Sequence, residues 1–195
     1  MLLLAVLAAP ACSSAGAGDA PPAPSGPPDL RGVSYWPGAT DEGLLTLLDA
    51  QPVDSALDVP IVTTPAERST LSAPTTFAFQ PTAAAMRTRR PGVAARRPSF
   101  DLSDLFTLER TAHAHGAPMN GEAFLLVFST SREPHWLRVF LQGRTFAPSS
   151  AEWGRLAGAH ESLSLTVTRA VFEEGRLTTD GGPFVGAPFH FTIAQ

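Results

Sequence analysis

Residues 163–168 read LSLTVT, an unbroken alternation of aliphatic and hydroxyl side chains. Successive side chains of a β-strand point to opposite faces, so this period of two predicts a strand with one apolar and one polar face. After residue 168 the apolar positions move by one, to Ala170 and Phe172. We interpret this change of phase as a β-bulge or a bend within the strand.

Five other segments carry strand patterns. The continuous apolar run AFLLVF at residues 123–128 predicts a central strand that is buried on both faces. Alternation or a β-branched run predicts the other four, at residues 61–64, 75–79, 136–142 and 189–193. Residues 100–112 fit a helix and a strand equally, and both interpretations stay open. Six or seven strands, most with one polar face, predict an all-β fold in which two sheets pack on a shared core as a β-sandwich.

The segment at residues 29–58 is predicted to form a short helical appendage to this sandwich. Asp41 and Glu42 precede four leucines between residues 44 and 48. Acidic side chains in a first turn stabilise a helix, so the pattern predicts one short helix over residues 41–49. An apolar site for a partner is the alternative interpretation of these leucines. The sandwich domain is expected over residues 59–195, with a long exposed loop rich in arginine at residues 83–99.

Composition limits the class of protein. The 195 residues have room for one domain with tails, and 19 prolines and 16 glycines favour short elements joined by turns. The net charge of −4 argues against a protein that binds nucleic acid with its whole surface. All 14 basic residues are arginines, which we attribute to GC-rich codon usage. The single cysteine, Cys12, allows no intramolecular disulfide.

The amino terminus has the pattern of an export signal. Residues 2–9 form an apolar run of eight, which is too short for the roughly 20 residues that a membrane-spanning helix needs. Such a run, closed by small residues, is typical of a secretory signal peptide. The stretch that follows, residues 13–28, is rich in Pro, Ala, Ser and Gly and is predicted to be a disordered tether.

Residues 7–12, LAAPAC, resemble the lipobox of bacterial lipoproteins. The resemblance implies that residues 1–11 are a cleaved signal peptide, and that Cys12 carries a diacylglycerol and begins a tether over residues 12–28. Ser13 stands where lipoproteins of the inner membrane usually carry Asp, so the resemblance favours the outer membrane. A secreted form without the anchor is the alternative.

The strand region is similar to Ig-like and fibronectin type III-like domains of bacterial surface proteins. Residues 64–65 and 71–79 are similar to the opening strands of these domains, and residues 138–140, 146–148, Trp153 and Leu156 to the later ones. Residues 181–186, GGPFVG, are similar to the close of domains in envelope lipoproteins of GC-rich bacteria. The resemblance covers about residues 59–195 and implies a sandwich of about seven strands that serves as a spacer, adhesion unit or binding module.

Two groups of side chains are candidate binding sites. A run of arginines without an intervening acid would attract anionic envelope polymers or an envelope protein rather than a nucleic acid: Arg87, Arg89, Arg90, Arg96 and Arg97. Trp36 and Trp136 are candidates for stacking against sugar rings, since we expect Trp136 to lie opposite Leu137 on its strand and to be exposed. Trp153 is expected to cover the end of the core.

Weaker patterns point to metals. His113 and His115 lie on one side of a strand, but a metal site needs further ligands. The acidic residues Glu173, Glu174 and Asp180 could bind calcium weakly, although a solvated acidic edge is the simpler interpretation. The chain has no Gly-x-Ser-x-Gly or His-Glu-x-x-His motif. We therefore expect a non-enzymatic envelope lipoprotein without a cofactor, with a carbohydrate-binding or adhesion module as the alternative and a metal-dependent enzyme as a further one.

Overall fold

The computed structural model describes residues 30–82 and 118–194. Within those ranges the chain forms two sheets and two short helices, which confirms the all-β class. The predicted signal peptide, the predicted tether, the predicted arginine-rich loop at residues 83–99 and the ambiguous residues 100–112 all lie outside the described residues.

The described part of the chain contains eleven strands and two helices, which turns and loops connect. The helices are α1 (Asp41–Asp49) and α2 (Ser150–Ala157). The strands are β1 (Val33–Tyr35), β2 (Pro60–Thr64), β3 (Thr70–Leu71), β4 (Phe77–Pro81), β5 (Gly121–Ser129), β6 (Leu137–Gln142), β7 (Thr145–Phe146), β8 (Leu163–Glu173), β9 (Arg176–Leu177), β10 (Phe184–Val185) and β11 (Phe189–Ile193).

The larger sheet has eight strands and curls into a half-barrel. Its main path runs β1-β6-β5-β8-β11-β3, and β9 and β10 pair with β8 beside that path. The strands pair antiparallel, except that β1 lies parallel to β6 and β3 lies parallel to β11. The smaller sheet has the order β2-β4-β7.

The change of phase after residue 168 is not a bulge. Strand β8 pairs with β5 in one uninterrupted register, from Phe172 opposite Gly121 to Ser164 opposite Ser129. Leu165 and its alternate neighbours belong to one core cluster, whereas Ala170 and Phe172 belong to a second. The apolar positions change phase because different layers cover the two faces of a regular strand, so the predicted bulge is wrong. A register shift does occur in the smaller sheet, between Val62 and Thr64.

The first core cluster lies on the face of the larger sheet that packs on the smaller one. Phe77 is its centre, with ring centroids 5.5 Å from Phe128, 6.1 Å from Phe146 and 5.3 Å from Phe191. All four side chains are almost completely buried. Each such burial contributes about 1.5–3 kcal/mol, so this cluster is a main source of the stability of the fold.

The second cluster lies on the opposite face of the larger sheet and is covered by α1. Leu44 and Leu47 of this helix pack with Met119, Phe140 and Phe172. The Thr40 hydroxyl accepts a hydrogen bond from the backbone N–H of Gly43 at 3.1 Å and caps the helix. The helix therefore falls where the sequence predicts it, at Asp41–Asp49.

Residues 30–58 form part of the domain itself and are not only a helical appendage to it. They supply β1, which extends the larger sheet beside β6, as well as the cover of the second cluster. The prediction of one short helix is also wrong in number, because α2 packs Leu156 into the first cluster. Eleven strands exceed the expected seven because five of them are only two or three residues long.

Candidate anion-binding pocket

An open pocket of about 370 Å³ lies where the chain enters β1 and where β6 begins. Its walls come from the turn before β1, the loop between β5 and β6, the first residues of β6, and α2. We name it the arginine pocket, and its lining residues are Arg31, Gly32, Glu133, Pro134, His135, Arg138 and Arg155.

The parallel pairing of β1 with β6 brings two of the arginines together. Val33 lies opposite Arg138 in the register, which places Arg31 beside the start of β6. The Arg138 guanidinium donates a hydrogen bond to the Arg31 carbonyl oxygen and fixes the backbone there. Gly32 makes the intervening turn with a φ of +71°, a conformation that costs glycine little and other residues more.

Trp136 positions the third arginine. Its indole N–H donates to the Arg155 carbonyl oxygen at 2.9 Å, and the Arg155 guanidinium carbon lies 5.9 Å from the centroid of the indole ring. The ring thus contacts both the backbone and the charge of one residue, and such a cation–π contact contributes about 0.5–1 kcal/mol at an exposed site. Leu156 anchors the same helical turn in the first core cluster.

The start of α2 is fixed by a capping box. The Ser149 hydroxyl accepts from the Glu152 backbone N–H at 3.3 Å, while the Glu152 carboxylate accepts from the Ser149 backbone N–H at 2.8 Å. These two bonds satisfy donors that a helix start otherwise leaves unpaired. They also fix the helix that carries Arg155 into the pocket.

Replacing Ser149 with alanine is expected to lower the free energy of unfolding by about 1 kcal/mol, because one capping hydrogen bond is lost. Urea denaturation followed by circular dichroism measures the change. Ser150→Ala, at the next exposed position, is the control and should alter the free energy by less than about 0.5 kcal/mol. Equal effects of the two substitutions would contradict the capping role.

The pocket is a local positive charge on an acidic molecule. The lining residues include three arginines and one glutamate. Their summed formal charge is +2 when His135 is neutral, whereas the net charge of the whole chain is −4. Guanidinium groups present several N–H donors in a planar fork that matches carboxylate and phosphate oxygens. The arrangement is therefore suited to binding an anion.

The two tryptophans proposed for sugar stacking both contact α2. Trp36 packs edge-on against Phe146 at 5.4 Å between centroids, and its indole N–H lies 3.5 Å from a Glu152 carboxylate oxygen. Trp136, which we expected to be exposed, is half-buried. Trp153 packs against the first cluster, in agreement with its predicted role.

The remaining candidates divide into two sets. Cys12, the five arginines of the predicted loop, His113 and His115 lie outside the described residues. Glu173, Glu174 and Asp180 line a shallow depression of about 610 Å³ together with Arg176. Across residues 30–82 and 118–194, no group of three or more side chains is arranged to hold a metal ion, so the structure gives the calcium interpretation no support.

A network of ion pairs that we did not predict joins several elements near β10. The Glu122 carboxylate forms ion pairs with Arg144 and Arg169, and its oxygens lie 2.8 Å from Arg144 Nε and 2.8 Å from Arg169 Nη2. Arg169 Nη1 also lies 3.5 Å from Asp58 Oδ1. The Arg169 guanidinium carbon also lies 5.5 Å from the ring centroid of Phe184. This ion network therefore links β5, β8, β10 and the loop that leads into β2.

The two arginines hold Glu122 in its ionised form. Burial alone would raise the pKa of this carboxyl group, but the hydrogen bonds and charges of Arg144 and Arg169 outweigh burial and lower its pKa. Arg169 is only 9% exposed, and charged residues are rarely buried so deeply unless they are paired. The signal in the sequence was Arg169 within the strand pattern of β8, whereas its pairing with Glu122, the second residue of β5, follows from the sheet topology.

Comparison of the chain with family models, with curated proteins and with solved structures gives no match. None of the helices among the described residues combines the length and apolar character that a membrane crossing requires. The two features that bear on function are the leader-like pattern at residues 1–11 and the arginine pocket.

Proposed function

We propose that this protein is a non-enzymatic lipoprotein of the cell envelope, an interaction module that displays a rigid β-domain at a membrane surface. One observation carries the proposal of an interaction role: Arg31, Arg138 and Arg155 line one pocket, although they belong to three different structural elements. The LAAPAC pattern at residues 7–12 supports the envelope setting and a lipid on Cys12.

The mechanism is tethering followed by local capture of an anion. A diacylglycerol on Cys12 confines the domain to the membrane, which raises its effective concentration toward ligands at the same surface. Anionic groups are abundant in envelope glycans and lipids, and the arginine pocket has the opposite charge. The outer membrane is the favoured location because Ser13 follows the cysteine, and a secreted form is the alternative.

The finer assignment of the fold, an Ig-like or fibronectin type III-like sandwich, is part of this proposal. Two facing sheets around an aromatic core support it. The eight strands and the half-barrel curl of the larger sheet depart from a compact domain of seven strands. Such domains serve as binding modules and spacers, so the assignment agrees with an interaction role without defining it.

The Cys12→Ser substitution tests the envelope setting. The wild-type chain is expected in the membrane fraction, with a mature mass that lacks residues 1–11 and includes a diacylglycerol. Cys12→Ser should move the protein to a soluble fraction, because the acyl chains provide the membrane affinity. Cell fractionation and mass spectrometry of the intact protein measure both outcomes. Recovery of a cytosolic protein that retains its first eleven residues would refute the proposal.

A carbohydrate-binding or adhesion module is the second candidate, favoured by Trp136 beside the pocket. An indole that already positions an arginine can also offer part of its face to a sugar ring. A glycan array probed with the purified protein measures this activity. Binding to neutral glycans that Trp136→Ala abolishes would favour this candidate over the capture of anions.

A further inference from the structure

We infer that the arginine pocket binds the phosphate group of a phosphorylated monosaccharide. The inference rests on the proposed function, since it names the ligand of the interaction site proposed there. The pocket is built entirely from residues that the structure describes.

The number and origin of the guanidinium groups favour phosphate over carboxylate. A carboxylate has two oxygens, and one arginine can satisfy both in a bidentate pair. Arg31, Arg138 and Arg155 approach from the turn before β1, from β6 and from α2. A tetrahedral phosphate presents three oxygens in different directions and carries up to two charges, so it can use donors from all three elements.

Contacts within the protein hold the guanidinium groups of two of the arginines, Arg138 and Arg155. The Arg138 guanidinium contacts the Arg31 carbonyl, and Trp136 contacts both the carbonyl and the guanidinium of Arg155. Side chains held in this way lose less conformational entropy when a ligand binds. Trp136 is therefore a positioning residue for the pocket.

The size and the remaining walls of the pocket favour a phosphate attached to one sugar. A volume of about 370 Å³ is at the lower end of the range for small-molecule sites, roughly 300–1,000 Å³. Glu133 adds a carboxylate to the wall, which would repel a second phosphate but can accept hydrogen bonds from sugar hydroxyl groups. His135 adds a further polar group beside it.

Isothermal titration calorimetry with the full chain carrying Cys12→Ser tests the inference, since this variant separates binding from the lipid anchor. The probes are glucose 6-phosphate, inorganic phosphate, glucuronate and glucose. We expect glucose 6-phosphate to bind, glucuronate and inorganic phosphate to bind at least about tenfold more weakly, and glucose to give no heat. Equal affinity for glucuronate and glucose 6-phosphate, or no binding of the latter, would overturn the inference.

Substitutions locate the binding within the pocket. Arg138→Gln and Arg155→Gln should each weaken glucose 6-phosphate binding by at least about tenfold, because each removes a charged donor. Arg68→Gln, an exposed arginine in the turn between β2 and β3, is the matched control and should leave the affinity unchanged. Far-ultraviolet circular dichroism verifies that each variant is folded. Unchanged affinity in the two pocket variants would place the site elsewhere and contradict the inference.

Vesicles distinguish a lipid source of the phosphate from a glycan source. Phosphatidylcholine vesicles with and without phosphatidic acid are sedimented with the Cys12→Ser chain. Binding to phosphatidic acid that glucose 6-phosphate displaces would show that the pocket takes a lipid phosphate without a sugar and would contradict the inference, whereas binding to glucose 6-phosphate alone supports it. The fractionation described above can fail while the calorimetry succeeds, or the reverse, so the two proposals are tested separately.

Discussion

Replacing Glu122 with glutamine is expected to lower the free energy of unfolding by about 3–5 kcal/mol. The substitution leaves Arg169 buried without its nearest carboxylate and removes the partner of Arg144. Chemical denaturation near neutral pH measures the change. Asp58→Asn is the control, because Asp58 is 3.5 Å from Arg169 and its side chain is 44% exposed, so its loss should cost less than about 1 kcal/mol.

The same substitution should change how stability depends on pH. The pKa of Glu122 is lower in the folded protein than its ordinary value of 4.5. A carboxyl group of this kind stabilises the fold above its unfolded pKa and loses that contribution as the pH falls through its folded pKa. The wild-type chain should therefore lose stability below about pH 4.5, and Glu122→Gln should lose less. Parallel curves for the two proteins in acid would contradict the role of Glu122.

Replacing Leu44 with alanine is expected to cost about 2–5 kcal/mol, because it opens a cavity between α1 and the larger sheet. Leu44 is 0% exposed and packs in the second cluster, whereas Leu48 in the same helix is 38% exposed. Leu48→Ala is the matched control and should cost less than about 1 kcal/mol. Thermal and urea denaturation measure both. Similar losses for the two variants would mean that α1 does not cover the second cluster as described.

Gly43 allows α1 to pack closely against Met119, which precedes β5. A Cβ atom at this position would lie 2.1 Å from the Met119 sulfur, far inside contact distance. A side chain at position 43 would require Met119 to move, although the sequence pattern shows only an ordinary glycine between Glu42 and Leu44. The leucines predict the helix, whereas its close packing against Met119 is visible only in the folded structure.

Long local patterns predicted their elements correctly, because the pattern and the structure depend on the same residues. The alternation at residues 189–193 became β11, and the apolar run at residues 123–128 became the centre of β5. Four of the missed strands, β3, β7, β9 and β10, are two residues long and cannot show a period. They exist because neighbouring strands offer partners, which is information that a local pattern does not contain.

Helix α2 was missed although its start signal is present in the sequence. Ser149 and Glu152 have the spacing of a capping box. The helix itself includes Gly154 and buries only Leu156 fully, so it shows no apolar period. The signal that predicts this helix is the spacing of its capping residues, not a period of apolar residues.

The arginine pocket could not be found from the sequence. Arg31 and Arg138 are 107 positions apart and meet only because β1 pairs parallel to β6. The sequence pattern instead points to five arginines that lie close together along the chain at residues 87–97. Neighbours along the chain are visible in a sequence, whereas residues that meet through sheet pairing become neighbours only when the topology is known.

The position of β11 has a consequence for biogenesis. This late strand lies between β8 and β3, so the larger sheet stays incomplete until residues 189–193 have left the ribosome. Translation at roughly 5–20 residues per second exposes the amino terminus long before then. If the chain is exported as proposed, a translocation channel that engages the predicted leader would meet a polypeptide that has not yet folded, which is the state in which a narrow channel can thread it.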